Sequence, residues 1–180
     1  MKKFFICLTF FCANLFALED VYLQPQQFIQ QQFDNPPKPQ YFWITAPHKE
    51  ALTKILGHKP RKLRIKYWAT PEKSAWILEE IGKEHPITTG FSISAGKIQQ
   101  VKVLIYRESR GYEVRQDFFT EQYIGAQLDK SLDLDQTIDG ITGATLSVRA
   151  LNKMAKVALY LDKQLQLEEV HEQKTAAAKP

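Results

Sequence analysis

ITTGFSISAGKIQQVKVLIY, residues 87–106, reads as two strands joined by a turn. Its β-branched and aromatic residues favour extended backbone, and Ala95-Gly96-Lys97 supplies the turn. Beyond the turn Val101, Val103 and Ile105 alternate with Lys102, Leu104 and Tyr106, which predicts one hairpin face in a core. Two earlier segments share this character, Leu63 to Ala69 and Ala75 to Ile81. Downstream the period changes. From Leu146 onward Val148, Leu151, Ala155, Ala158 and Leu159 fall on one helical stripe opposite Arg149, Lys153, Lys156 and Lys163, predicting an amphipathic helix to about Gln166. Strands followed by a final helix predict an α+β fold, a small and mainly antiparallel sheet packed with helices.

Working outward, Thr45-Ala46-Pro47 and HKEALTKIL combine an N-cap, an early-turn proline and a helix ending near Gly57. Glu108-Ser109-Arg110-Gly111 is a polar loop, and a short helix fits the aromatic stretch from Phe118 to Tyr123 before Gly125. Residues 126–140 are polar and rich in aspartate. Leu18 to Gln40 is crowded with glutamine and ends in Asp34-Asn35-Pro36-Pro37-Lys38-Pro39, so residues 18–42 are expected to form a tether. The end of the chain, EEVHEQKTAAAKP, lacks periodicity, and residues 167–180 are expected to be a disordered tail. The compact domain is then 43–166.

The chain of 180 residues is 44% hydrophobic and 24% charged, which sets aside wholesale disorder, collagen and coiled coil and suits one domain with targeting and linker segments. MKKFFICLTFFCANLFA, residues 1–17, has the build of a secretory signal peptide: two lysines, an apolar run from Phe4 to Phe16, and a small residue at Ala17. That run is shorter than the roughly 20 residues of a spanning helix, so an uncleaved anchor is the alternative. The bulky residues before Cys12 argue against a lipoprotein site. The expected location is the periplasm or the outer face of a membrane. The formal charge of +4 includes Lys2 and Lys3 of the leader, leaving too little to argue for nucleic acid. Cys7 and Cys12 also lie in the leader, so an exported chain would have no thiol, and a redox role would need a non-thiol cofactor.

DGITGATLS, residues 139–147, runs from the polar loop into the last helix. Free N–H groups and the dipole of a helix N-terminus favour an anion, and the hydroxyls of Thr142, Thr145 and Ser147 could face the same site. The same residues also suit a plain helix cap and a glycine turn. On physical grounds alone both readings stand.

The motif Asp139-x-x-Thr142-Gly143-Ala144-Thr145 resembles the D-x-x-[S/T]-G-A-T acceptor sequence of FMN-binding domains related to the FMN-carrying subunits of sodium-translocating quinone reductases and Rnf-type complexes. The resemblance covers roughly residues 63–162. It implies that a periplasmic flavin transferase, with FAD as donor, joins FMN by a phosphoester to the hydroxyl of Thr145. Asp139 would belong to the sequence the transferase reads, while Gly143 and Ala144 leave room for the phosphate. Glu108-Ser109-Arg110-Gly111 resembles the family's E-[T/S]-x-G loop near the flavin and implies contacts from Glu108, Ser109 and Gly111. Ser109 and Arg110 depart from the usual E-T-P-G of the membrane-complex relatives.

The implied role is a flavoprotein that carries electrons between a membrane-side donor and an extracytoplasmic acceptor, as a redox subunit rather than a stand-alone enzyme. A self-contained flavin reductase, a non-covalent FMN binder and a purely protein-interaction module are the alternatives. Elsewhere, His48, His58, His85 and His171 lack metal-ligand spacing and suit surface or capping positions. The basic run from His58 to Lys66 suits either an anionic partner or a solvated turn and strand edge. Trp68, Trp76, Tyr106, Tyr112 and Tyr123 could stack on a flavin or fill a core, and none is assigned as a ring contact.

Overall fold

The predicted hairpin forms as β5 (Pro86–Ser94) and β6 (Lys97–Tyr106), with Ala95 and Gly96 at φ 51° and 71° making the turn. The computed structural model describes residues 20–177, so the leader assigned to residues 1–17 lies outside the described residues. Before the hairpin come β1 (Asp20–Val21), α1 (Pro25–Gln32), β2 (Gln40–Trp43), α2 (Ala46–Leu56), β3 (Arg64–Thr70) and β4 (Lys73–Ile81). After it come a 3-10 turn at Tyr112–Arg115, α3 (Asp117–Thr120), a second 3-10 turn at Glu121–Tyr123, and α4 (Thr145–Ala177). The strands make one antiparallel sheet in the order β1-β6-β5-β4-β3-β2.

The alternation in β6 differs from the simple one. Val101 pairs with Phe91 and Val103 with Thr89, but Ile98 pairs with Ile93 and Ile105 with Thr88, so the strand carries one extra residue near Gln99 and another near Leu104. Each bulge shifts the later side chains by one position. Ile98, Val101, Val103 and Tyr106 therefore share the core face. Ile105, expected beside Val101 and Val103, turns with Leu104 to the other side.

α2 and α4 cover the core face, and every residue of the predicted stripe, Val148, Leu151, Ala155, Ala158 and Leu159, is buried in that core. A buried polar joint ties helix to sheet: Trp76 Nε1 donates to Ser74 Oγ at 2.8 Å, and Ser74 donates to Asp162 at 2.5 Å. The helix continues to Ala177, past the expected end near Gln166, because its last residues are strong helix formers even without an apolar face. This corrects the expected disordered tail as far as Ala177.

The expected tether is also corrected. Residues 20–43 fold onto the sheet, β1 pairing with β6 and β2 with β3, while α1 lies across the opposite face. Pro25 opens α1, and Phe28 and Ile29, apolar positions among the glutamines, are fully buried against Trp68, Ala75 and Leu104. Burial of two such side chains is worth about 2 to 3 kcal/mol each. Gly90 makes the docking possible, since a Cβ there would lie 2.6 Å from the Phe28 ring. Among the described residues no helix is long and apolar enough to cross a membrane.

Candidate functional site

Thr145 stands at the first turn of α4, where the chain arrives through Gly143 in the left-handed region at φ +85°. The Ala144 N–H donates to the Ile141 carbonyl at 3.0 Å, and the first helical bond runs from the Val148 N–H to the Ala144 carbonyl. The N–H groups of Thr145, Leu146 and Ser147 precede that bond and form the open end of the helix. Ala144 and Ser147 are buried and anchor the turn, which leaves Thr145 exposed between them. Among the described residues the Thr145 hydroxyl makes no hydrogen bond. It opens on a cleft of about 510 Å³ whose lining includes Lys83, Glu108, Ser109, Arg110 and Gly143.

The loop of residues 108–111 forms the facing wall, and its residues act in unequal ways. Gly111, at φ +80°, packs so closely on the start of α4 that a Cβ would meet Ser147 Oγ at 3.0 Å, and Ala144 Cβ and Tyr106 Oη at 3.1 Å. Tyr106 donates its hydroxyl proton to the Arg110 carbonyl at 2.6 Å. Ser147 Oγ, 2.9 Å from Tyr106 Oη, is then the donor in that second contact. Burial pushes the Tyr106 hydroxyl up, so it stays protonated and the chain of bonds holds at neutral pH. The bulge near Leu104 is what turns Tyr106 towards α4.

Glu108 serves the fold. Its Oε1 accepts from the backbone N–H groups of Lys83, Glu84 and His85, the last two at 2.7 and 3.0 Å. Gly82 lets the carboxylate come this close, since a Cβ at that position would lie 2.8 Å from Oε1. Partial burial pushes Glu108 up, but the three N–H donors outweigh it and hold the carboxyl below the usual carboxylate range.

The structure therefore brings Gly143, Ala144, Thr145, Ser147, Glu108 and Ser109 together around one cleft, with Gly111 packed behind it. The Ser147 hydroxyl, expected to face an anion, is turned inward to Tyr106. Thr142 and Asp139 are exposed on the approach loop and do not line the cleft. The Asp139 N–H donates to Gln122 Oε1 at 2.7 Å, while its carboxylate makes no hydrogen bond or ion pair among the described residues. Lys83, Arg110 and Tyr106 were not assigned from sequence, and only the positive charge of Arg110 in the loop motif hinted at its place.

Of the five large aromatic candidates, Trp68, Trp76, Tyr106 and Tyr123 are buried and Tyr112 is exposed. The basic run comprises the connection at residues 58–63 and the start of β3, which is not an edge because β2 pairs outside it. His58 meets Glu80 at 3.1 Å, Lys62 meets Glu79 at 2.8 Å, and Arg64 lies over the ring of Tyr41.

No curated protein matches the chain. A family model does match residues 82–160, under the description FMN-binding domain. That span holds β5, β6, the 108–111 loop and the part of α4 that presents Thr145, and it is narrower than the 63–162 expected from the resemblance. Residues 82–160 thus match the FMN-binding domain family, and Thr145 with its cleft lies within the matched span.

Proposed function

We propose that the protein carries FMN covalently, through a phosphoester to Thr145 Oγ, and passes electrons between a membrane-side donor and an extracytoplasmic acceptor. The observation that supports this best is the Thr145 hydroxyl itself, exposed and unbonded at the mouth of a cleft on the open end of α4. The lining fits a phosphate ester. Three N–H groups point out of the helix end, Arg110 brings a positive charge with no ion-pair partner among the described residues, and Lys83 reaches the lining from its surface pair with Glu84. Glu108, the carboxylate on this lining, spends its charge on the turn at residues 83–85.

Attachment would join Thr145 Oγ to the FMN-side phosphorus of FAD, with the pyrophosphate bond broken and AMP as the leaving group. The hydroxyl proton goes to a base of the flavin transferase, since Thr145 has no hydrogen-bonded base among the described residues. The exposed and unpartnered Asp139 carboxylate is available for the transferase to read. The leader at residues 1–17 would bring the chain to the compartment where that enzyme works. Bound FMN supplies the redox chemistry, and the chain sets its access and potential.

The same three N–H groups and Arg110 could also hold a phosphate without an ester, and denaturation separates the two readings. Intact mass and in-gel flavin fluorescence are measured on the exported protein under denaturing conditions, with and without the transferase, for the parent and Thr145→Ala. The expected result is an adduct of FMN less water that depends on the transferase and is absent from Thr145→Ala. Flavin retained by denatured Thr145→Ala would place the link elsewhere, and flavin released from the denatured parent would make the binding non-covalent.

A further inference from the structure

A second and larger cleft, of about 820 Å³, adjoins the one at Thr145, and Glu108 and Ser109 line both. Its wall is built from Tyr22, Tyr112 and Arg115. The Arg115 guanidinium lies 4.0 Å from the centre of the Tyr22 ring and 5.6 Å from that of Tyr112. Arg115 Nε is buried without a hydrogen-bond partner, and among the described residues the guanidinium has no ion pair. The acidic groups of this cleft are otherwise engaged. Asp20 accepts from the Tyr22 hydroxyl at 3.2 Å, Glu84 meets Lys83 at 3.0 Å, and Glu108 serves the turn. A planar cation left uncompensated between two half-exposed phenol rings is costly to keep, and it suits a planar partner that can take negative charge.

We propose that this cleft seats the isoalloxazine ring, with Tyr112 as a stacking face and Arg115 as the counter-charge for the N1–C2=O edge. The proposal rests on the reading that FMN is tethered at Thr145, from which the ribityl chain needs to cross only the shared Glu108–Ser109 segment. Tyr22 follows β1 directly and lies outside the residues matched to the family, so the N-terminal segment completes the ring site. Arg115 acts on the ring directly: its charge stabilises flavin forms that carry a negative charge, and so raises the reduction potential.

Sulfite reads that charge directly. Its sulfur lone pair forms a bond to flavin N5, the negative charge settles on the N1–C2=O edge, and visible absorbance is lost without any reductant. On the flavinylated full chain, Arg115→Gln should weaken sulfite binding about tenfold, the size of a partly screened charge pair, and Arg115→Lys should recover most of it. Tyr112→Leu should raise the fluorescence of the bound flavin severalfold, because an adjacent phenol no longer quenches it. Unchanged sulfite affinity in Arg115→Gln and unchanged fluorescence in Tyr112→Leu, with the Thr145 adduct present by mass, would overturn the ring site and leave the covalent reading standing. If no adduct forms, free FMN is titrated against the unmodified chain. Quenching in the parent that is lost in Tyr112→Leu supports the ring site and discards the ester, quenching that survives in Tyr112→Leu overturns the ring site, and no quenching in the parent discards both.

Discussion

Replacing Gly111 by alanine tests how tightly the 108–111 loop is pressed onto the start of α4. Two costs add. The backbone at φ +80° is left-handed, where a Cβ costs about 1 to 2 kcal/mol. The new methyl group would also lie 3.0 Å from Ser147 Oγ and 3.1 Å from both Ala144 Cβ and Tyr106 Oη. Overpacking of this kind costs about 1 to 3 kcal/mol. Gly111→Ala should therefore destabilise the domain by about 2 to 5 kcal/mol, read by urea denaturation with tryptophan fluorescence. Gly111→Asn separates the two costs, because asparagine tolerates the left-handed backbone but keeps the Cβ, and it should lose only about 1 to 3 kcal/mol. Adding Ser147→Ala to Gly111→Ala removes the nearest contact atom and should restore part of the loss. Relief by movement of the loop would widen the cleft, so flavin attachment under limiting transferase should slow in Gly111→Ala. A stability within about 0.5 kcal/mol of the parent would refute the close packing of loop and helix.

Glu108→Gln should destabilise by about 1 kcal/mol at neutral pH, at the low end for a charge-assisted bond because the carboxylate is partly exposed. The Glu108 carboxyl is held below the usual range, so its contribution is complete above the ordinary glutamate pKa of about 4.3 and is lost as pH falls through the lowered folded value. As pH falls below the ordinary glutamate pKa the parent should lose more stability than Glu108→Gln, and parallel urea midpoints would contradict the assignment. Gly90→Ala should cost about 1 to 3 kcal/mol by pressing on Phe28, and Phe28→Ala about 3 to 5. In the Phe28→Ala background Gly90→Ala should become nearly neutral, and additive losses would show that α1 does not rest on β5.

The elements with a clear period were legible in sequence. The hairpin, β3, β4, α2 and α4 announce themselves through alternation, helical stripes and the Gly57 stop, and the acceptor motif marks its own place at the helix start. The bulges at Gln99 and Leu104 were not legible, because Val103, Leu104, Ile105 and Tyr106 are all large enough to face either side. α1 was hidden by its glutamines, since Phe28, Ile29 and Phe33 are too few to show a face without the groove that Gly90 opens for them. The roles of Glu108 and Ser147 depend on partners distant in sequence: the N–H groups at 83–85 for one and the Tyr106 hydroxyl for the other. No local pattern reports such pairs.

The pairing of β1 with β6 also sets a timetable. Asp20 and Val21 find their partners only in Tyr106 and Ile105, so the sheet closes when the chain has been delivered through its sixth strand. α1 waits as well, because Leu104 and the Gly90 groove lie on the last two strands. Contacts this far apart in the chain carry a large loop-closure cost and slow the folding step. A chain threaded N-terminus first through a narrow pore would therefore emerge with its leading residues unpaired, and the ring wall that Tyr22 contributes would be assembled last.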